Sequence, residues 1–198
     1  MNDHGRILFA FLGNPGSRYE NTRHNIGFMF ADAVISNYGL NSFNYCKKFK
    51  AFISADHLLD TDVIFLKPDT YMNLSGQAII PAIKAFNVTT ENLFVVHDDM
   101  DIKFGDQKIK YGGGDAGHRG IRSVVFELGS QDFFRIRLGI GKSGSGKEAR
   151  SHVLDKFLDE EISFIQNDWC SKWNNLIKIL LSDGLEKAMS IYNKRRRG

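Results

Sequence analysis

The chain contains near its N-terminus the stretch Ile7-Leu8-Phe9-Ala10-Phe11-Leu12, followed directly by Gly13-Asn14-Pro15-Gly16. An unbroken apolar run of this length is typical of a strand buried on both faces, and it is too short to span a bilayer. The Gly-Asn-Pro-Gly segment predicts a turn. No small-residue cleavage site follows, so we do not expect a secretory signal. Residues 6–12 are therefore predicted to form a buried strand that ends in a polar turn.

Strand-like and helix-like segments alternate along the rest of the chain. Short runs of apolar residues predict strands, and apolar residues at intervals of three and four predict helices. The further predicted strands are 49–55, 62–66, 93–97, 107–111 and 133–140, and the predicted helices are 25–38, 73–86 and 118–128. A long helical region follows, opened by the acidic run 159–161 and with an apolar stripe from Ile162 to Leu180. This alternation favours an α/β fold, a single-domain three-layer α/β/α sandwich with a mixed, mostly parallel twisted sheet and a hairpin-like portion around 49–66.

Glycine and proline predict where the helices begin and end. Gly39 is expected to end the first helix, and Gly184 to separate a short final helix from the long helical region. Pro81 must either open the second helix at its first turn or kink it.

Composition and charge limit the class of protein. The 198 residues are 42% hydrophobic and 25% charged, which is typical of one globular domain over 1–198. Cys46 and Cys170 lie far apart and are expected to be free thiols, so we predict a cytoplasmic protein. We expect a monomer, with a small oligomer as the alternative. The net charge of +3 depends on a basic tail at 194–198, which either attracts polyanions such as nucleic acid or is a solvated terminus.

Polar side chains follow three of the predicted strands, and ligands of open α/β sheets bind at the carboxyl ends of strands. These side chains include Asn14 and His24 after the first strand, Asn73 after the third, and His97 and Asp98 at the end of the fourth. A histidine that takes a proton, a carboxylate that orients it and amides that bind an oxyanion would make a water-activating hydrolase. No serine or cysteine lies in a nucleophile elbow, so we expect direct attack by water.

Other interpretations of the same residues remain open at this point. His24 is a surface residue in the simplest case, and His97 is a buried, hydrogen-bonded one. The acidic residues Asp98, Asp99 and Asp101 form either a solvated turn or a site for Mg²⁺ or Mn²⁺. The glycine patterns that begin at Gly112 and Gly139 match dinucleotide fingerprints in form but lack the following strand and acid, and the segment 141–147 lacks the hydroxyl of a P-loop.

Several segments in a fixed order resemble the bacterial peptidyl-tRNA hydrolase family. The most specific are Thr22-Arg23-His24-Asn25-Ile26-Gly27 and Thr70-Tyr71-Met72-Asn73-Leu74-Ser75-Gly76. The others are Leu12-Gly13-Asn14-Pro15-Gly16, Val96-His97-Asp98-Asp99-Met100-Asp101, Gly112-Gly113-Gly114, Gly117-His118 and the run from Arg135 to Gly141. Together they span most of the chain.

The resemblance implies hydrolysis of the ester that joins a peptide to the 3′ ribose of tRNA, with no metal and no cofactor. It implies that His24 is the general base, that Asp98 is its partner, and that Asn14 helps to select a blocked peptidyl group. By the same resemblance Asn73 holds the substrate, and Tyr19 and Tyr71 line the cleft.

The resemblance also implies how the tRNA is held. Lys110 and Arg137 match a basic pair that clamps the 5′ phosphate, so the acceptor stem and the 3′ end would be the parts of tRNA in contact with the protein. No membrane partner is expected.

One departure from the family pattern is Arg119, which stands where the family usually has Asn. An arginine cannot accept a hydrogen bond and carries a fixed charge, so we leave it out of the predicted site. Two other hypotheses compete with peptidyl-tRNA hydrolysis: a catalytically inactive RNA-binding protein on the same fold, and a metal-dependent hydrolase or transferase that uses Asp98, Asp99 and Asp101.

Overall fold

A computed structural model describes residues 5–142 and 148–194. The last four residues of the predicted basic tail and most of the glycine-rich segment 141–147 lie outside these ranges. The strands are β1 (Ile7–Phe11), β2 (Asn44–Cys46), β3 (Ala51–Leu58), β4 (Thr61–Pro68), β5 (Leu93–Asp99), β6 (Gln107–Tyr111) and β7 (Phe134–Gly139). The helices are α1 (Ile26–Tyr38), α2 (Ser75–Ala85), α3 (Arg119–Leu128), α4 (Ala149–Leu154), α5 (Asp159–Phe164), α6 (Cys170–Ser182) and α7 (Leu185–Tyr192), with a π-helical turn (Ile165–Trp169) between α5 and α6.

All seven strands belong to one sheet, in the order β2-β3-β4-β1-β5-β7-β6. The central strands β4, β1, β5 and β7 are parallel, whereas β3 and β6 run in the opposite direction. This confirms the predicted mixed, mostly parallel sheet, and β3 with β4 forms the predicted hairpin. Because β1 lies between β4 and β5, the loops that follow these three strands meet at one edge of the sheet.

A hydrophobic core covers each face of the sheet, which makes the three layers. On one face α1 and α6 bury aromatic residues, and Trp169 and Trp173 have no exposed surface and pack edge-on against Phe30. On the other face α2 and α3 pack over β1, β4 and β5. Among the described helices, none is both long and apolar enough to cross a membrane.

The helix boundaries agree closely with the sequence. Gly39 ends α1 in the left-handed conformation with φ of 59°, and Gly184 precedes α7. Pro81 lies inside α2, so it does not open that helix. The sequence did not predict β2 or α4, which are short and follow polar or glycine-rich stretches.

Candidate active site

The predicted strand-end residues line one cleft of about 680 Å³. Its floor comes from the loops after β1, β4 and β5, and α4 and the segment before α3 form two of its walls. The polar and charged residues that line it are Asn14, Arg18, Tyr19, His24, Tyr71, Asn73, His97, Asp98, Asp99, Asp101, Asp115, His118, Arg119 and Arg150. The structure therefore brings together six of the eight predicted site residues, and leaves Lys110 and Arg137 outside this cleft.

Asp98, at the end of β5, contacts two histidines through the same carboxylate oxygen. Oδ1 of Asp98 lies 2.7 Å from Nδ1 of His24 and 3.0 Å from Nε2 of His118. An ionised carboxylate only accepts hydrogen bonds, so His24 carries a proton on Nδ1. The neutral ring then has its lone pair on Nε2, and no described residue bonds to that nitrogen. His24 is thus oriented to take a proton from a molecule in the cleft.

The proton on His118 is placed by the start of α3. The backbone N–H groups of Gly120 and Ile121 donate to Nδ1 of His118 at 3.1 and 3.2 Å, so this imidazole caps the helix. Because Nδ1 accepts two hydrogen bonds, the ring is neutral and its proton lies on Nε2, which donates to Asp98. His118 is therefore a fixed donor, unsuited to be the base.

Burial and the two histidines act on Asp98 in opposite directions. Burial favours the neutral acid, but the attraction of His24 and His118 and their hydrogen bonds outweigh it, and the pKa of Asp98 lies well below its usual range. The neighbouring His97 is also buried. Burial, with His118 close by, holds the pKa of His97 well below 6.5. Nδ1 of His97 donates to the Asp98 carbonyl, while its buried Nε2 has no described partner, so the hydrogen bonding predicted for this residue is only half present.

The side chain of Asn14 is oriented by its neighbours. Its Oδ1 accepts from the backbone N–H of Met72 at 2.8 Å. The amide of Asn25 holds the Asn14 backbone by donating to its carbonyl and accepting from its N–H. With its oxygen occupied, Asn14 has its Nδ2 available as a donor toward the cleft.

The remaining cleft residues of the prediction are more accessible. Tyr19 is half-buried, Asn73 is exposed, and Tyr71 has 52% of its surface exposed. All three line the cleft within the loops that follow β1 and β4. These three side chains are accessible from the cleft, so a ligand that enters it would contact them.

Lys110 and Arg137 belong to a basic face of the β6–β7 pair. The register places Lys110 opposite Arg135 and Lys108 opposite Arg137, so the four side chains share one face. Arg135 is buried and donates to the carbonyls of Gly113 and Gly114, which fixes the turn after β6. Arg137 is held by Asp99 at 2.6 Å. Lys108 is not among the predicted site residues, although its alternation with Lys110 in the sequence indicates that both lie on one face of the strand.

His24, Asp98 and His118 also form a group that could hold a metal ion, since their ligand atoms lie within 4.8 Å of one another. The two histidine nitrogens that face Asp98 are, however, at hydrogen-bond distance from its carboxylate. The other nitrogen of His118, Nδ1, already accepts from backbone N–H groups at the start of α3. Asp99 pairs with Arg137 and also accepts from the backbone N–H of Asp101. Of the three aspartates of the metal hypothesis, Asp98 and Asp99 therefore already have partners of other kinds.

Known proteins give an independent assignment. The family profile described as peptidyl-tRNA hydrolase matches residues 8–198. The chain belongs to the peptidyl-tRNA hydrolase family.

Individual members of the family are similar over nearly their whole length. The peptidyl-tRNA hydrolase of Caldanaerobacter subterraneus subsp. tengcongensis is 40% identical over 186 residues, which cover 94% of this chain and 98% of that protein. That of Geotalea daltonii is 41% identical over 188 residues, covering 95% and 96%. The crystal structure of peptidyl-tRNA hydrolase from Acinetobacter baumannii superposes with a TM-score of 0.85 at 35% identity, covering 94% of each chain.

Arg119, the departure from the family pattern, is the first residue of α3 and lines the cleft. Asp115, close by, accepts from the backbone N–H of Gly117 and forms an ion pair with Arg122. His118 lines the cleft as well but is not among the predicted site residues. Only the start of α3 at residue 119, which places His118 at the cap, would have indicated its role.

Proposed function

We propose that this chain hydrolyses the ester between a peptide and the 3′ ribose of tRNA, with His24 as general base. The observation that carries the proposal is the pair formed by His24 and Asp98 in an open cleft, beside the free amide nitrogen of Asn14. Family membership supports the choice of substrate.

The reaction uses one base and no covalent intermediate. Nε2 of His24 takes a proton from water, and the water oxygen attacks the ester carbonyl. The tetrahedral intermediate collapses with cleavage of the bond to the ribose 3′ oxygen, which receives the proton from the imidazolium. Asp98 stays ionised throughout, because its pKa is held low, and it stabilises the positive charge on His24. A free peptide and tRNA leave.

Asn14 supplies the selectivity for a blocked amine. Its Nδ2 donates, so it can bind the carbonyl of the amide that blocks the amino group of a peptidyl ester. A free aminoacyl ester has an ammonium group in that position, which also only donates. Tyr19, Tyr71 and Asn73 contact the peptide and the terminal nucleoside on the exposed side of the cleft.

The basic face of β6 and β7 takes the tRNA. Lys110 and Arg137 bind the 5′ phosphate, and the acceptor stem then leads its 3′ end to the cleft along the segment 112–118. Contacts of this kind do not depend on base sequence. The protein acts as a monomer in the cytoplasm, where its substrate is formed.

The experiment that tests the reaction compares N-acetyl-aminoacyl-tRNA with the unblocked aminoacyl-tRNA, each with and without EDTA. We expect rapid cleavage of the blocked substrate alone, unaffected by EDTA. No cleavage with tRNA still bound would identify an inactive RNA-binding protein, and sensitivity to EDTA would favour a metal at His24, Asp98 and His118.

His24→Ala tests the base. We expect kcat to fall by about 10² to 10⁴ while tRNA affinity changes little, because the ring acts on water and not on RNA. His57→Ala, which removes an exposed histidine paired with Asp62, is the matched control and should leave hydrolysis unchanged. Substantial hydrolysis by His24→Ala would show that another group is the base.

A further inference from the structure

The four carboxylates that line the cleft all have partners. Asp98 is bound by two histidines, as described above. The other contacts join Asp99 to Arg137 at 2.6 Å, Asp115 to Arg122 at 3.0 Å and Asp101 to Lys142 at 3.6 Å. The negative charges of Asp99, Asp101 and Asp115 are therefore already balanced by neighbouring cations, and Asp98 is held by hydrogen bonds from two histidines.

Three arginines that line the same cleft differ from these carboxylates. Arg18, Arg119 and Arg150 are exposed and line the cleft, and no carboxylate in the described ranges 5–142 and 148–194 lies within ion-pair distance of any of them. Arg18 rests on the ring of Tyr19, with 4.5 Å between its guanidinium carbon and the ring centre. Three like charges around one opening repel one another, and an anion in the cleft would relieve that repulsion.

The three arginines come from separate segments that line the cleft holding His24 and Asp98. Arg18 follows β1, Arg150 lies on α4, and Arg119 opens α3 directly after His118, which touches Asp98. The amino end of α3 adds partial positive charge beside Arg119. An anion near Arg119 would thus lie close to the ester that the water activated by His24 attacks.

We propose that Arg18, Arg119 and Arg150 bind the phosphodiester groups of the last nucleotides of the substrate, and that Arg119 binds the one nearest the ester. The inference rests on the proposed function, because that reaction brings a 3′-terminal nucleotide into the cleft. Every peptidyl-tRNA has a phosphodiester one ribose away from the ester, whereas only some peptides carry an acidic side chain there. Arginine suits phosphate because its planar fork donates two hydrogen bonds to one group.

The test varies the phosphates and keeps the ester. The same N-acetyl-aminoacyl group is attached to adenosine, to the trinucleotide cytidine-cytidine-adenosine, and to tRNA. Arg119→Gln should leave kcat/KM on the adenosine ester unchanged and lower it about ten-fold on the trinucleotide and on tRNA. Arg18→Gln and Arg150→Gln should act in the same direction, and Lys84→Gln, which removes an exposed cation from α2, should have no effect.

Three results would overturn the inference. An equal loss on the adenosine ester would place Arg119 at the ester or in the fold, and a loss seen only with an acidic peptide would identify the peptide as the anion. Binding of the unesterified trinucleotide, measured by fluorescence anisotropy, tests the site apart from hydrolysis. There Arg119→Gln should bind about ten-fold more weakly than the wild type, and equal affinities would contradict the phosphate site even if no ester is cleaved.

Discussion

The direction of a single amide decides what Asn14 can bind. Asn14→Asp keeps an oxygen to accept from the Met72 N–H but replaces the nitrogen donor with a second acceptor. We expect kcat/KM on N-acetyl-aminoacyl-tRNA to fall about 10- to 100-fold with little change in thermal stability, because a buried donor to the substrate is lost while the backbone contact remains. Steady-state kinetics and a thermal melt measure the two effects.

Asn25 provides the matched control, since its amide bonds, among the residues that the structure describes, to the Asn14 backbone alone. Asn25→Asp keeps the acceptor for the Asn14 N–H but loses the donor to its carbonyl, so it should lower stability by about 1–3 kcal/mol. If Asn14→Asp destabilises the protein as much as Asn25→Asp and keeps normal kinetics, the amide of Asn14 is structural.

For individual residues, the sequence predicted some contacts of the site and missed others. The carboxyl ends of strands, together with the family resemblance, selected His24, Asp98 and Asn14, and the structure places them in one cleft. Their roles stay predictions. The orientation of Asn14 depends on Met72, which is 58 positions away, and no spacing in the sequence reports such a contact.

The start of α3 connects secondary structure to the site, because His118 caps the helix and bonds to Asp98. His118→Asn keeps a good capping side chain but is too short to reach Asp98, whereas His118→Ala removes both contacts. We expect Ala to cost about 1 kcal/mol of stability and Asn to cost less, while both lower kcat. Thermal unfolding and single-turnover rates separate the cap from the contact with Asp98.

The comparison of His118→Asn with His118→Ala shows whether His118 acts as a helix cap or through its contact with Asp98. If Asn restores both stability and kcat, the residue serves only as a cap. If neither variant changes kcat while His24→Ala does, then Asp98 holds His24 without help from His118, and the shared oxygen has no influence on the reaction.

The length of a helix or strand determined whether it could be predicted from the sequence. The long helices α1 and α3 and the strands of the parallel core have clear apolar patterns, and their bounds agree within a few residues. By contrast β2 has three residues, all partly or fully exposed, and is held by pairing with β3. Such a strand exists because of its neighbour, so its own sequence does not indicate it.

For the molecule as a whole, the lowered pKa of His97 predicts that the folded protein becomes less stable in acid. Its folded-state pKa lies well below 6.5, so the unfolded chain binds a proton that the folded protein does not, and stability falls as pH drops below about 6.5. His97→Asn keeps a donor for the Asp98 carbonyl but does not titrate. Between pH 7.5 and 5 we expect the wild type to lose more stability than the variant, by up to about 1.4 kcal/mol per pH unit.

Thermal unfolding at several pH values measures this difference. Parallel curves for the two proteins would show that His97 titrates alike in the folded and unfolded states. His57→Asn is the control, because it makes the same substitution at an exposed histidine on another part of the sheet.

The overall architecture was predictable because alternating strands and helices allow few arrangements, and the observed sheet is one of them. The order in which the strands pair within the sheet could not be predicted from the sequence. Placing β1 between β4 and β5 depends on which apolar faces pack together, and the two edge strands β2 and β6 join through contacts that a linear pattern does not contain.

The capping histidine also ties catalysis to the motion of one helix end. Helix termini open more readily than helix centres, and each opening of the first turn of α3 releases Nδ1 of His118. The ring of His118 is then no longer fixed, and its Nε2 can move away from the Asp98 oxygen that it shares with His24. As the temperature rises, the rate of reaction should therefore decline while the sheet is still intact. The reason is that fraying of the first turn of α3 disturbs the contacts of Asp98 with its two histidines at a lower temperature than global unfolding.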